Sequence, residues 1–247
     1  MLTLHTFTTA EHTCGYLPAE TARMRYQLMA EISAAEFEAK LIRGWRHFGR
    51  ALFQPACPEC SRCLSLRLDA TAYRPNRSQR RAWDANRDVT LTIAEPEVTD
   101  EKLDLYDRFH VFQQGFKDWP RHGPKEEDSY IEGFVDNPFP VEEWQYRVGD
   151  KLIGVGYVDR LSKAMSAIYF FYDPDERDRS PGTFNVMSIL ADARRNGIPY
   201  VYMGYYVAEC RSLAYKANFL PNQVIGPSGR WIDFRLPSRQ SGTGDVT

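Results

Sequence analysis

Cys57, Cys60 and Cys63 lie in the run A-C-P-E-C-S-R-C, at a repeated two-residue spacing that lets thiolates share one metal ion. Cys14, just before Gly15, can complete a tetrahedral zinc site, and four cysteines equally suit an iron-sulfur cluster. The competing reading is a tight turn carrying small thiols; Cys210 stands apart and reads as structural. Arginines flank the cysteines. From Arg43 to Arg87 there are ten Arg and no Lys against Glu59, Asp69 and Asp84, a local charge of +7. From Asp88 onward 18 Lys and Arg face 25 Asp and Glu, giving −7. A chain of net charge −2 with this split presents a local face for a polyanion, and the guanidinium fork matches phosphate geometry. A merely solvated arginine-rich surface is the alternative.

Three further groups can carry chemistry. The loop Arg179-Ser180-Pro181-Gly182-Thr183 precedes a helical pattern, where exposed backbone N–H groups and the helix dipole favour an anion, although a plain helix cap explains it equally. Tyr205 and Tyr206 end a strand, and Tyr215-Lys216 follow; the tyrosine hydroxyls can donate to a developing oxyanion, or the cluster can be core. Asp159 can orient an amine or act as a base, but a surface ion pair with Arg160 or with a neighbouring strand is the stronger expectation. Five scattered histidines suggest no Ser-His-Asp arrangement.

The elements that must position these groups follow from periodicity. Residues 22–30 alternate as a strand, and Ser33 with Glu36 forms a capping box opening a short helix that Gly44 ends. Residues 46–54 and 64–68 read as strands of a hairpin with the cysteines at its tip. Ser78 is the expected N-cap of a basic helix over 79–86, and 89–94 is a strand. Beyond Glu95-Pro96-Glu97 come an amphipathic helix over 99–116, a mobile loop over 117–125 and a helix over 128–135. An antiparallel meander over 142–148, 151–161 and 165–172 follows. The chain then reads as a helix over 183–196, a strand over 199–203, a helix over 213–219 and a final edge strand over 222–225. The fold class is α/β (α+β). The expected division is a basic, cysteine-containing domain over 1–95, a GNAT-like (N-acetyltransferase-type) domain over 96–237 and a flexible tail over 238–247.

At 43% hydrophobic and 26% charged, the 247 residues can form a globular core. The apolar runs fall short of the roughly 18 to 20 residues of a membrane span, and the N-terminus lacks a basic apolar leader, so a cytoplasmic protein without membrane partners is expected.

Taken together, CGYL, GWRHFGRALFQPACPECSRCLSLRL, RSQRR, YFFYDPD, RSPGT and PYVYMGYYV followed by YK resemble the arginyl-tRNA-protein transferase family, and within it the bacterial leucyl-tRNA-protein transferases. The resemblance runs from about Phe7 to Trp231 and departs from the eukaryotic pattern at Leu17, where C-G-Y-C has its second cysteine. It implies transfer of leucine from Leu-tRNA to the α-amine of proteins beginning with Asp or Glu, which creates a degradation signal; arginyl transfer is the alternative within the family. Outside it stand a non-catalytic zinc-binding RNA module and a coenzyme A-dependent acetyltransferase. Joining an amine to an ester requires no cofactor, only positioning, deprotonation and help for the departing ribose hydroxyl. On this reading Tyr205, Tyr206, Tyr215 and Lys216 are the catalytic candidates. Arg46, Arg77, Ser78, Arg80, Arg81, Ser180, Gly182 and Thr183 are the candidates for tRNA or the acidic N-terminus.

Overall fold

The computed structural model describes residues 1–117, 121 and 123–234. The tail expected over 238–247 and part of the loop expected over 117–125 lie outside them. In chain order the first elements are β1 (Leu2–Thr8), β2 (His12–Thr13), β3 (Thr21–Ala22), β4 (Met24–Glu31) and α1 (Ala34–Ile42). Next come β5 (Arg46–Phe48), β6 (Ala51–Pro55), β7 (Leu64–Asp69), α2 (Arg77–Asp84) and β8 (Thr90–Ala94). Then follow α3 (Asp100–Lys117), α4 (Glu127–Tyr130) continued as a π-helical turn over Ile131–Val135, and the meander β9 (Val141–Val148), β10 (Lys151–Arg160) and β11 (Ala164–Tyr172). A 3-10 turn leads to α5 (Pro181–Arg195), β12 (Tyr200–Tyr206), α6 (Arg211–Ala214), β13 (Asn222–Ile225) and β14 (Trp231–Asp233). No helix of the described residues is long and apolar enough to cross a membrane.

Two sheets organise these elements. The smaller is antiparallel in the order β1-β4-β6-β5; the larger runs β14-β13-β7-β12-β11-β10-β9-β8. In the larger sheet β11 and β12 run parallel, joined through α5, while the meander is antiparallel. The meander, helix and strand follow one another in the order expected from the sequence.

The large sheet crosses the expected boundary at residue 95. β7 lies between β12 and β13, and β8 pairs with β9. Leu66 and Leu68 are fully buried beneath α5 with Met165, Val186, Ile189 and Val201. Each such side chain contributes about 1.5–3 kcal/mol of burial, which a separately folding N-terminal unit would forgo. The hairpin expected around the cysteines is absent for the same reason: β6 pairs with β4 and β5, so the cysteine segment is a crossing between sheets. The opposite face of the large sheet buries Val155, Tyr157, Phe171 and Tyr202 against Phe37 and Leu41 of α1 and Leu105 and Phe109 of α3.

Local signals are read closely. Ser33 accepts from the Glu36 backbone N–H and Glu36 reaches back to Ser33, as expected of a capping box. For α2 the cap is Asn76, with Gln79 completing the box, and not Ser78. Ser78 instead donates to the Asn76 side chain at 2.8 Å, and Gln79 is buried where it also receives the Tyr73 hydroxyl. β13 is not the final edge, because β14 pairs outside it.

Candidate active site

β11 and β12 pair through Ala164–Ser166 and Tyr200–Tyr202 and then part. On its other side the ladder from β12 to β7 is irregular between Tyr202 and Tyr205. Gly204 lies in that interval with φ +77°, a left-handed conformation that costs other residues about 1–2 kcal/mol. The parting strands open a cavity of about 700 Å³, lined by 166–170 of β11, by Met203–Tyr205 and by the start of α5.

Arg46 and His47, from β5 of the small sheet, line this cavity and are 5% and 6% exposed. Among the described residues none of the three Arg46 guanidinium nitrogens has a hydrogen-bond partner, and the group lies over the Tyr202 ring at 5.2 Å. Burial pulls its pKa below the ordinary arginine value. Lys216, following α6, donates to the Tyr205 carbonyl at 2.9 Å. Burial, reinforced by the Arg46 charge, brings its ammonium down to about 7. A methyl group placed on Gly204 would lie 3.5 Å from Lys216 Nζ and 4.0 Å from Arg46 Nε, so both cations flank one glycine. Those are ordinary contacts, and Gly204→Ala is therefore expected to cost about 1–2 kcal/mol through backbone strain alone. Urea unfolding measures it; an unchanged midpoint would contradict the strained turn.

His47 explains why β5 stays in place. Its Nε2 meets Asp159 Oδ1 of β10 at 2.8 Å and its Nδ1 meets the Gly49 carbonyl at 3.2 Å. Phe139 stacks on the ring at 3.8 Å. Asp159 is fully buried; the expected surface pair with Arg160 does not exist, since Arg160 pairs with Glu142 and Asp192.

The other candidates divide. Tyr205 lines the cavity, but its hydroxyl donates to the Gly44 carbonyl at 3.0 Å and ties the two sheets together. Tyr206 faces the α5 core and lies against Phe234. Tyr215 lines the cavity at 39% exposure, its hydroxyl unpaired among the described residues. Ser180, Gly182 and Thr183 also line it. Ser180, at φ +57°, provides no side-chain cap; its carbonyl receives the Thr183 and Phe184 N–H groups. Arg77, Ser78, Arg80 and Arg81 are exposed on α2, outside the cavity lining. Trp83 of α2 lies 5.3 Å from Phe184, and Asn86 donates to the Arg179 carbonyl at 2.8 Å.

Cys14, Cys57, Cys60 and Cys63 line a second pocket of about 460 Å³. Burial, then the neighbouring cysteines, push the Cys63 thiol up to about 12. Cys57 exchanges long contacts with the Arg23 backbone, at 3.4 Å from its N–H and 3.6 Å to its carbonyl. Among the described residues no group of three or more His, Cys, Asp or Glu is arranged to hold a metal ion.

The residues missed by sequence reasoning are His47 and the true partner of Asp159. The pair spans 112 positions and two sheets, and no local spacing signals it. Equally informative is a feature of the whole lining: its charged side chains are Arg46, His47, Arg177 and Lys216, and among the described residues no Asp or Glu contributes. Phe53, Phe109, Ile168, Phe170, Met203 and Leu213 supply apolar wall.

Comparison with known proteins gives concordant results over nearly the whole length. A family model described as the arginine-tRNA-protein transferase C terminus matches residues 101–226, and its N-terminal counterpart matches residues 12–81. An aspartate/glutamate leucyltransferase of Campylobacter jejuni is 35% identical over 223 residues, covering 89% of this chain and 92% of the relative. The protein of that name from Pseudomonas savastanoi is 32% identical over 227 residues, covering 92% and 95%. Among solved structures, FemX covers 81% of this chain and 79% of its own at 8% identity and a TM-score of 0.42. L-PGS from Bacillus licheniformis covers 62% and 49% at 11% identity and a TM-score of 0.39.

Proposed function

Because the chain belongs to the arginine-tRNA-protein transferase family, we propose that its cavity transfers leucine from Leu-tRNA to the α-amine of proteins beginning with Asp or Glu. The observation that carries the reading is the acid-free lining. An arginyl side chain there would meet other cations and no carboxylate, whereas a leucyl side chain has apolar wall to cover it. The same positive lining favours an acceptor whose first side chain is anionic. The product is an N-terminal degradation signal, and the reaction belongs in the cytoplasm, where charged tRNA is made.

The chemistry follows from the cavity's own groups. The acceptor amine attacks the ester carbonyl, a carbon–nitrogen bond forms, and the ester oxygen leaves as the ribose hydroxyl. Neutral Lys216 takes the proton released by the attacking nitrogen and returns it to the departing oxygen, so no proton is lost overall. Tyr215 supplies a hydroxyl near the reacting ester. Tyr205 is a structural tie on this account, because its proton is committed to Gly44.

The exposed arginines of α2 meet the tRNA backbone outside the cavity. Arg80→Ala and Arg81→Ala are each expected to weaken tRNA binding and to reduce the steepness of its salt dependence by about one phosphate contact. Filter binding across a salt series measures this; superimposable slopes would remove α2 from the tRNA interface.

The test of the function is transfer itself. Labelled Leu-tRNA incubated with the protein and with peptides beginning Asp, Glu or Ala is expected to label the first two. Absence of label on all three, with the donor intact, would reject the reading.

A further inference from the structure

A guanidinium that is buried with all three nitrogens unpaired is costly unless a partner arrives, and Arg46 is such a group. Among the described residues nothing hydrogen-bonds to its guanidinium, and the charge it meets inside the protein is that of Asp159. Asp159, the nearby carboxylate, gives Oδ1 to His47 and forms no ion pair with Arg46. Lys216, the other nitrogen flanking Gly204, gives its hydrogen bond to the Tyr205 carbonyl and is no counter-charge for Arg46. Arg46 is held by the His47 anchor next to it and opens onto the cavity. The α2 arginines are exposed on the surface and suit a backbone of many phosphates, whereas Arg46 is a single fork at depth that suits one planar carboxylate.

We propose that Arg46 is the residue that reads the acceptor, pairing its guanidinium fork with the side-chain carboxylate of the N-terminal Asp or Glu and setting the α-amine toward Lys216. This rests on the transferase reading above and divides the two anions between two sites: tRNA phosphates on α2, the acceptor carboxylate on Arg46. It also gives the selectivity a physical origin. An acceptor beginning with Asn or Gln matches the shape and leaves the buried fork without its counter-charge, a mismatch that rejects isosteres strongly. Aspartate and glutamate differ by one methylene, which the cavity accommodates.

The experiment is steady-state transfer of leucine from Leu-tRNA to matched peptides beginning Asp, Asn, Glu and Gln, with wild type, R46Q and R46K. Wild type is expected to prefer Asp over Asn in kcat/KM by about 100-fold or more. R46Q is expected to lose about 100-fold on the Asp peptide, to bring the Asp-to-Asn ratio close to one, and to leave the KM for Leu-tRNA unchanged. R46K keeps a charge in the same space without the fork; it is expected to retain the direction of the preference at about a tenth of its size. The inference is overturned if R46Q keeps the wild-type Asp-to-Asn ratio or raises the tRNA KM instead. R46K with wild-type kcat/KM on the Asp peptide would equally overturn the fork pairing, and R46K can be scored even where R46Q does not fold. Failure of wild type to transfer leucine to any peptide would reject the underlying transferase reading, a distinct outcome.

Discussion

Lys216→Met lowers kcat for leucyl transfer by about 10²- to 10⁴-fold, the usual contribution of a positioned proton-transfer group, and removes the acidic limb of the pH profile. The direction follows from the ammonium being brought down to about 7 by burial and by the Arg46 charge. The active form is the neutral amine, so kcat in the wild type rises as pH increases through about 7 and levels above it. The acceptor α-amine, with an ordinary pKa of about 7.7 to 8.0, contributes a further rise in the same sense at subsaturating peptide. Stability moves independently. A lysine whose folded pKa lies below its unfolded value is held by the folded state with fewer protons, so stability increases as pH rises from about 7 toward the ordinary lysine range. Lys216→Met relieves that penalty and is expected to unfold no more easily than wild type at pH 7. Rate profiles between pH 6 and 9, with urea melts at each end, separate the roles. A variant with wild-type kcat, or with reduced kcat and a surviving acidic limb near 7, would show that Lys216 does not carry the proton.

Asp159→Ala is expected to cost about 1–3 kcal/mol of folding stability, the range for leaving a buried hydrogen-bonding group without its partner. Asp159 is fully buried, and among the described residues its carboxylate has the 2.8 Å contact to His47 alone, while the His47 ring otherwise meets the Gly49 carbonyl. The pair ties β10 of the large sheet to β5 of the small one, and Arg46 is the next residue along β5. Loss of the carboxylate therefore also loosens Arg46, and kcat/KM for Asp peptides is expected to fall in any fraction that remains folded. Asp159→Asn keeps an oxygen acceptor for Nε2 and is expected to cost less than half as much. Urea denaturation of both variants distinguishes this clamp from a bystander: an Asp159→Ala midpoint equal to wild type contradicts it.

Much of the molecule was readable from local pattern. The Ser33 capping box, the antiparallel meander and the strand-helix-strand unit through α5 all stand where periodicity put them. What local pattern could not convey is partnership across distance. Leu64, Leu66 and Leu68 alternate as a strand whether they pair with β6 next to them or with β12 and β13 more than 130 residues later, and the second holds. The site shows the same division. Lys216, Tyr215 and the Ser180–Thr183 loop were marked by type and place, and the cavity unites them. Tyr205 and Tyr206 were marked by type too, but adjacent strand residues face opposite ways, and one hydroxyl is committed to Gly44 while the other ring packs in the α5 core. His47 and Asp159 look ordinary singly; their significance is only the 2.8 Å between them.

A cavity whose described lining has apolar wall, no carboxylate and the unpaired Arg46 guanidinium selects a leucyl donor and an acidic acceptor on this reading. That selection is tested most directly by charging one tRNA species with leucine or with arginine and comparing kcat/KM for transfer to the same Asp-beginning peptide. The account predicts that the leucyl donor is preferred by about 100-fold or more, because a guanidinium without a carboxylate partner is costly to enclose among other cations. Equal use of the two donors, or preference for arginine, would contradict it.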